Sequence, residues 1–118
     1  MKAYYESILP GMREEARAHG YALAVHGSMT HDLDLIALAW SARASSPAVV
    51  ADAVAGAIGV KFAHLVDQTN PHRFVFHIIT SRYRQLEDGE KVAEGFIDLS
   101  VAKTGIYSAD RRSAGKDI

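Results

Sequence analysis

The sequence predicts one α+β domain in which two main helices pack on one face of a mixed sheet of about four strands. Short apolar runs of strand type alternate with two segments that carry helix signals. The run 33–40 is apolar on both of its faces, which indicates a strand inside a sheet that helices cover on at least one side. The 118 residues are enough for one hydrophobic core, which we place in residues 1–102.

Two helices are predicted from their start signals. Pro10 suits the first turn of a helix that ends near His19. Ser46 and Pro47 suit the N-cap and the first position of a second helix, which runs to about Ile58. In chain order, one predicted helix therefore comes before the first two strands and the other comes after them.

Four strands are predicted from apolar runs bounded by turn residues. They cover residues 21–25, 33–40, 73–82 and 95–101. The stretch 61–73 is predicted to be irregular, and Asp88-Gly89 predicts a hairpin turn. The element order is α–β–β–α–β–β, followed by a polar, loosely held tail over 103–118.

Composition narrows the class of protein. The formal net charge is −1, so no broad cationic surface indicates nucleic-acid binding. The absence of cysteine excludes disulfides, thiolate catalysis and cysteine-ligated zinc. No apolar run reaches the roughly 20 residues of a membrane-spanning helix, and the N-terminus has none of signal-peptide length. We therefore expect a cytoplasmic protein with no membrane partner.

Three aspartates interrupt the predicted apolar strands and are the candidates for chemistry. Asp32 and Asp34 stand two positions apart, so both carboxylates are predicted on one face of the second strand if that strand begins at Asp32. If the second strand lies near the fourth, Asp98 joins them, and such oxygen ligands suit Mg²⁺ or Mn²⁺. Gly27 and Ser28 precede the pair, and a glycine lets the backbone approach a phosphate closely.

The Gly27-Ser28 pair, the run Asp32-Leu33-Asp34 and the later Asp98 together resemble the polymerase-beta-like nucleotidyltransferase superfamily, in particular its minimal members. The resemblance implies a nucleotidyltransferase-like fold in which Gly27 and Ser28 contact a nucleoside triphosphate. It also implies that Asp32 and Asp34 hold two magnesium ions, and that Asp98 completes one metal site and helps to activate an acceptor hydroxyl. The stretches 24–40 and 96–101 are similar to small uncharacterised proteins of tailed bacteriophages, which implies the host cytoplasm as the setting.

The function implied by this resemblance is transfer of a nucleoside monophosphate from an NTP to a hydroxyl acceptor, with release of pyrophosphate. Two alternatives stay open at this point. One is a non-catalytic phage-type binding module of the same fold that engages a host protein or a nucleotide. The other is a metal-dependent phosphohydrolase that uses the same carboxylates. A protein partner or a homodimer also stays open.

Structural interpretations of the same residues stand beside the functional ones. The paired aspartates can be solvated turn carboxylates that accept backbone hydrogen bonds. His26, His31 and His77 are candidates to join the site, although partly buried, hydrogen-bonded histidines are the commoner case. Arg73, Arg82 and Arg84 bracket the predicted third strand and are candidates for phosphate contact, although solvated strand ends are the commoner case. The three residues between Ser28 and the first aspartate are compatible with a direct β-hairpin.

Overall fold

The computed structural model describes residues 1–80, 82–93 and 95–103, in which two helices lie on one side of a mixed sheet. The helices are α1 (Lys2–Ala18) and α2 (Pro47–Gly56). The strands are β1 (Tyr21–His26), β2 (Leu33–Ala39), β3 (His64–Asp67), β4 (Arg73–Ile79), β5 (Tyr83–Gln85), β6 (Lys91–Ala93) and β7 (Phe96–Ala102). The α+β class is confirmed. The predicted tail lies outside the described residues except for Lys103.

The main sheet has five strands in the order β1-β2-β7-β4-β3. Only the central pair, β2 with β7, is parallel, and the other neighbours are antiparallel. β5 and β6 form a separate two-stranded hairpin around the predicted Asp88-Gly89 turn. The expectation of about four strands is therefore corrected to five, because β3 forms within 61–73. This edge strand has only four residues and mostly exposed side chains, so it carries no apolar alternation.

The first helix begins at Lys2, and the prediction that it starts at Pro10 was wrong. Pro10 lies inside α1 and is exposed. The buried stripe of α1 consists of Tyr5, Leu9, Met12 and Ala16, spaced as one helical face. Burial of this stripe against the sheet outweighs the hydrogen bond that proline removes from the helix interior. No helix among the described residues is long and apolar enough to cross a membrane.

One face of the main sheet carries the core, and the opposite face has no helix packed on it within the described residues. On the covered face, alternate residues of the central strands are buried with those of both helices. This core includes Leu33, Leu35, Ile97, Leu99, Phe76 and Ile78 of the sheet, Leu9 and Met12 of α1, and Val50 and Val54 of α2. The opposite face, called the open face below, carries the intervening residues. They include Ala22, Ala24 and His26 of β1, Asp34, Ile36 and Leu38 of β2, Phe96, Asp98 and Ser100 of β7, and Val75, His77 and Ile79 of β4.

The corner between α1 and β1 is held against the connection from β2 to α2. The Ser45 N–H donates to the His19 carbonyl at 2.9 Å, and the Trp40 N–H donates to the Gly20 carbonyl at 3.0 Å. Gly20 has a φ of +87°, and a Cβ added there would lie 2.8 Å from the Ala44 Cα atom. Both the backbone conformation and the close approach therefore require glycine at this corner.

Gly20→Ala is expected to lower the free energy of unfolding by about 2 kcal/mol or more, because the steric overlap adds to a left-handed strain of roughly 1–2 kcal/mol. Gly59→Ala is the matched control. Gly59 has a φ of +81°, but no atom lies within 4 Å of an added Cβ. The Gly59→Ala variant should therefore lose only the stability that the left-handed backbone strain costs. Urea denaturation measures both, and equal losses would contradict the steric role of Ala44.

Candidate functional site

The register of the central parallel pair brings two of the three candidate aspartates together. Asp34 of β2 and Asp98 of β7 are direct cross-strand neighbours, and both side chains lie on the open face. Neighbouring strands lie about 4.8 Å apart, so the two carboxylates occupy one patch of surface. Both side chains are half-exposed. The condition on which Asp98 joins the pair, that the second and last predicted strands lie together, is therefore met for Asp34 and Asp98.

The same line of register continues across all five strands of the main sheet. His26 stands opposite Asp34, His77 opposite Asp98, and His64 opposite His77. We call this line the polar row; it consists of His26, Asp34, Asp98, His77 and His64. Two of the three histidines that the sequence offered as site candidates thus lie directly beside the two aspartates. The third, His31, lies in the loop between β1 and β2 and is exposed.

His77 lies close to Asp98 but does not bond to it. The distance from His77 Nε2 to Asp98 Oδ2 is 3.9 Å, which is beyond the reach of a hydrogen bond. The Phe96 ring packs edge-on against the imidazole, with 4.6 Å between the ring centroids. The side chains of His77 and Asp98 are 33% and 38% exposed, so both reach solvent and any ligand on the open face.

The two carboxylates open into a groove of about 460 Å³ on the open face. Its lining is His26, Asp34, Leu35, Ile36, Arg73, Asp98 and Ser100. The Arg73 guanidinium brings a fixed positive charge to a groove that otherwise carries two carboxylates. An arginine of this kind binds phosphate oxygens in pairs, whereas carboxylates bind cations. The groove therefore offers carboxylate ligands for a cation and a guanidinium for an anion.

The loop between β1 and β2 places Gly27 against one of these carboxylates. The two strands form a direct antiparallel hairpin, as the short spacing of the motif indicates. Gly27 has a φ of +87°, and a Cβ added there would stand 3.6 Å from Asp34 Oδ2. The Ser28 hydroxyl donates to Thr30 Oγ1 at 2.9 Å and accepts the Thr30 N–H at 3.3 Å. Gly27 thus lies beside the site, whereas the Ser28 hydroxyl bonds within its own loop.

Asp32 lies one residue before β2, which begins at Leu33, and its side chain is exposed. Its placement beside Asp34 on one strand face stays a prediction. Both negative charges nevertheless act on the buried Tyr5 hydroxyl. Burial raises the pKa of Tyr5, the Phe96 hydrogen bond opposes this shift, and the negative charges of Asp32 and then Asp34 raise it further. The Tyr5 hydroxyl is therefore protonated at neutral pH and able to donate.

The Tyr5 hydroxyl joins three elements beneath the site. Tyr5 is fully buried on α1, and its hydroxyl donates to the His31 carbonyl at 2.7 Å. The Phe96 N–H, at the start of β7, donates to the Tyr5 oxygen at 3.2 Å. Sequence reasoning missed this residue because the helix was expected to begin after it. The signal was present in the 4-3-4 spacing of Tyr5, Leu9, Met12 and Ala16.

The carboxylates of Asp34 and Asp98 suit a cation whose other coordination positions are filled by water or by a bound ligand. Among the described residues, no group of three or more histidine, aspartate or glutamate side chains is arranged to hold a metal ion. Mg²⁺ commonly takes only one or two carboxylates and keeps water or phosphate oxygens at its other positions. Asp34 and Asp98 fit that pattern. They do not fit the closed, all-protein coordination of a structural zinc site.

No protein-family model, no curated protein and no solved structure matches the chain. The resemblance to nucleotidyltransferases therefore stays a prediction, and the chemistry of the groove is the feature that bears on function.

Tyr5→Phe is expected to lower the free energy of unfolding by about 1–3 kcal/mol, because it removes the hydroxyl that accepts the partly buried Phe96 N–H. Tyr4→Phe is the matched control, since it keeps the ring over which the Arg82 guanidinium lies at 5.0 Å. It should change stability little. Urea denaturation compares the two variants. A loss for Tyr5→Phe no larger than that for Tyr4→Phe would show that the hydroxyl does not join these elements.

Proposed function

We propose that the protein binds a divalent cation together with the phosphates of a nucleotide in the groove around Asp34 and Asp98, on a minimal fold of the nucleotidyltransferase type. The observation that carries this proposal is the parallel register that sets Asp34 directly opposite Asp98 on the open face. Two carboxylates at this spacing repel each other, and a cation between them relieves that repulsion. Their position on a half-exposed surface leaves them accessible to such a cation.

The groove also supports the phosphate part of the proposal. Arg73 lines the same depression as both carboxylates, so its guanidinium is available to phosphate oxygens. Gly27 presents no side chain toward Asp34, which leaves room for a ligand beside the carboxylate. A bound Mg²⁺ or Mn²⁺ would neutralise phosphate charge and orient the phosphates for attack. Asp34 and Asp98 would hold that cation, and Arg73 would orient the phosphate group.

In the proposed reaction, an acceptor hydroxyl attacks the α-phosphorus of an NTP and pyrophosphate leaves. The Asp98 carboxylate accepts the proton of that hydroxyl. His77 lies 3.9 Å from the same carboxylate on the open face, without a hydrogen bond to it. The sequence resemblance implies the same group transfer but assigns the metal pair to Asp32 and Asp34; in the reaction proposed here, Asp34 and Asp98 hold the cation.

A second candidate function is non-catalytic binding by the same fold. Two observations favour it: the Ser28 hydroxyl, expected at the triphosphate, is bonded to Thr30, and no third metal ligand joins the pair among the described residues. A binding module needs only the groove and the open face. A metal-dependent phosphohydrolase is the third candidate, because the same two carboxylates can hold a cation that activates water.

Calorimetric titration with Mg²⁺ or Mn²⁺ and each NTP tests the proposal. Wild-type protein should bind, and Asp34→Asn or Asp98→Asn should each weaken binding by roughly tenfold or more, because a cation ligand loses its charge. Asp88→Asn is the matched control. Asp88 is an exposed turn residue whose carboxylate accepts the Glu90 N–H at 3.0 Å, and an amide oxygen can accept that bond too.

The same experiment separates the three candidate functions. Absence of binding by the wild-type protein would overturn the cation and nucleotide proposal. Binding without incorporation of labelled nucleotide into a panel of hydroxyl acceptors would favour the non-catalytic module. Release of pyrophosphate with incorporation supports the transferase, whereas release of inorganic phosphate with no incorporation supports the phosphohydrolase.

A further inference from the structure

β1 is an edge strand of the main sheet, and part of its backbone faces away from β2. The Trp40 N–H donates to the Gly20 carbonyl at 3.0 Å, which fixes the phase of the antiparallel ladder. Because bonded and non-bonded pairs alternate along such a ladder, the N–H and C=O groups of Leu23 and Val25 point outward. The guanidinium of Arg13 donates from Nε to the Leu23 carbonyl at 3.4 Å, which agrees with that direction.

A cationic groove runs between this edge and α1. It has a volume of about 330 Å³ and is lined by Arg13, Arg17, Tyr21, Ala22, Leu23 and Trp40. Arg13 and Arg17 stand one helical turn apart, and both are exposed. Within the part of the chain that the structure describes, neither guanidinium lies within 4.0 Å of a carboxylate. The covered side of the edge therefore carries two positive charges that no described acidic side chain neutralises.

The open-face side of the same edge is apolar. Ala22 and Ala24 are small and exposed on β1. Leu38 and Trp40 stand on the adjacent strand and just beyond it, with 47% and 56% of their surfaces exposed. The edge thus has a cationic side toward α1 and an apolar side toward the open face. No charged side chain of β1 lies between Tyr21 and Val25 to block the approach of another strand.

We propose that this edge binds an extended peptide segment of a partner protein whose side chains alternate between acidic and apolar. Such a segment adds a strand to β1 through the outward N–H and C=O groups of Leu23 and Val25. Side chains of a strand alternate between its two faces. Every second side chain therefore meets Arg13 and Arg17, where a carboxylate fits. The intervening side chains lie over Ala24 and Leu38, where an apolar group fits.

The charges argue against a second copy of this chain as the occupant. A two-fold pairing of β1 with itself would bring the Arg13 and Arg17 side chains of both copies to the same edge. Like charges placed together across an interface disfavour association, whereas opposite charges speed and orient it. A partner segment whose side chains alternate between acidic and apolar matches both the cationic side and the apolar side of the edge.

Trp40 gives a direct readout, because it is the only tryptophan of the chain and lines the groove. The probe is a synthetic peptide of alternating glutamate and valine, titrated into the full chain while tryptophan emission is recorded. We expect a saturable change in emission. Arg13→Glu and Arg17→Glu should each weaken binding on the order of tenfold, whereas Lys61→Glu, the same charge reversal at an exposed residue outside the groove, should not.

Two further peptides test the roles of charge and of strand pairing with the wild-type protein alone. A peptide of alternating lysine and valine, and a glutamate–valine peptide N-methylated at every second residue on its bonding edge, should both fail to bind. Equal binding by either peptide would overturn the proposal, since it would remove the role of charge or of strand pairing. Absence of any emission change would overturn it too, as would a dimer in sedimentation that the peptide does not dissociate.

Discussion

The parallel pairing of β2 with β7 is the constraint on which the rest of this structure depends. Two parallel strands cannot be joined by a tight turn, so the chain between them has to cross over. Here the intervening chain supplies α2, β3, β4 and the β5–β6 hairpin. It carries α2 to the covered face and sets β4 on the far side of β7. The order of the sheet and the position of its core both follow from this one pairing.

The same register places apolar and charged residues on opposite faces. Leu33 and Leu35 stand opposite Ile97 and Leu99 and are buried under the helices, whereas Asp34 stands opposite Asp98 on the open face. A slip of one residue would carry these leucines to the open face and the aspartate into the core. Burial of these apolar pairs therefore holds the carboxylates of Asp34 and Asp98 side by side, although the two negative charges repel each other. The candidate site is in this sense a consequence of the core.

Local signals predicted much of the fold but could not supply the register. Ser46 and Pro47 mark the start of α2, where the φ restriction of proline acts within one turn; the Ser46 side chain itself makes no capping hydrogen bond. Pro10 gave the wrong start for α1, since packing of the Tyr5 stripe against the sheet overrides the local cost of proline. The aspartates were visible as breaks in apolar strands. Which of them meet depends on strands separated by over fifty residues, and no local pattern encodes that pairing.

Paramagnetic broadening by Mn²⁺ shows whether Asp34 and Asp98 form one cation site, as proposed above. Substoichiometric Mn²⁺ should broaden the backbone amide signals around both residues together, with the effect fading toward the ends of β2 and β7. Asp98→Asn should remove the broadening near Asp34 as well, because the site is shared. Broadening scattered over the surface carboxylates, or persisting at Asp34 in that variant, would show that the two carboxylates do not share a cation.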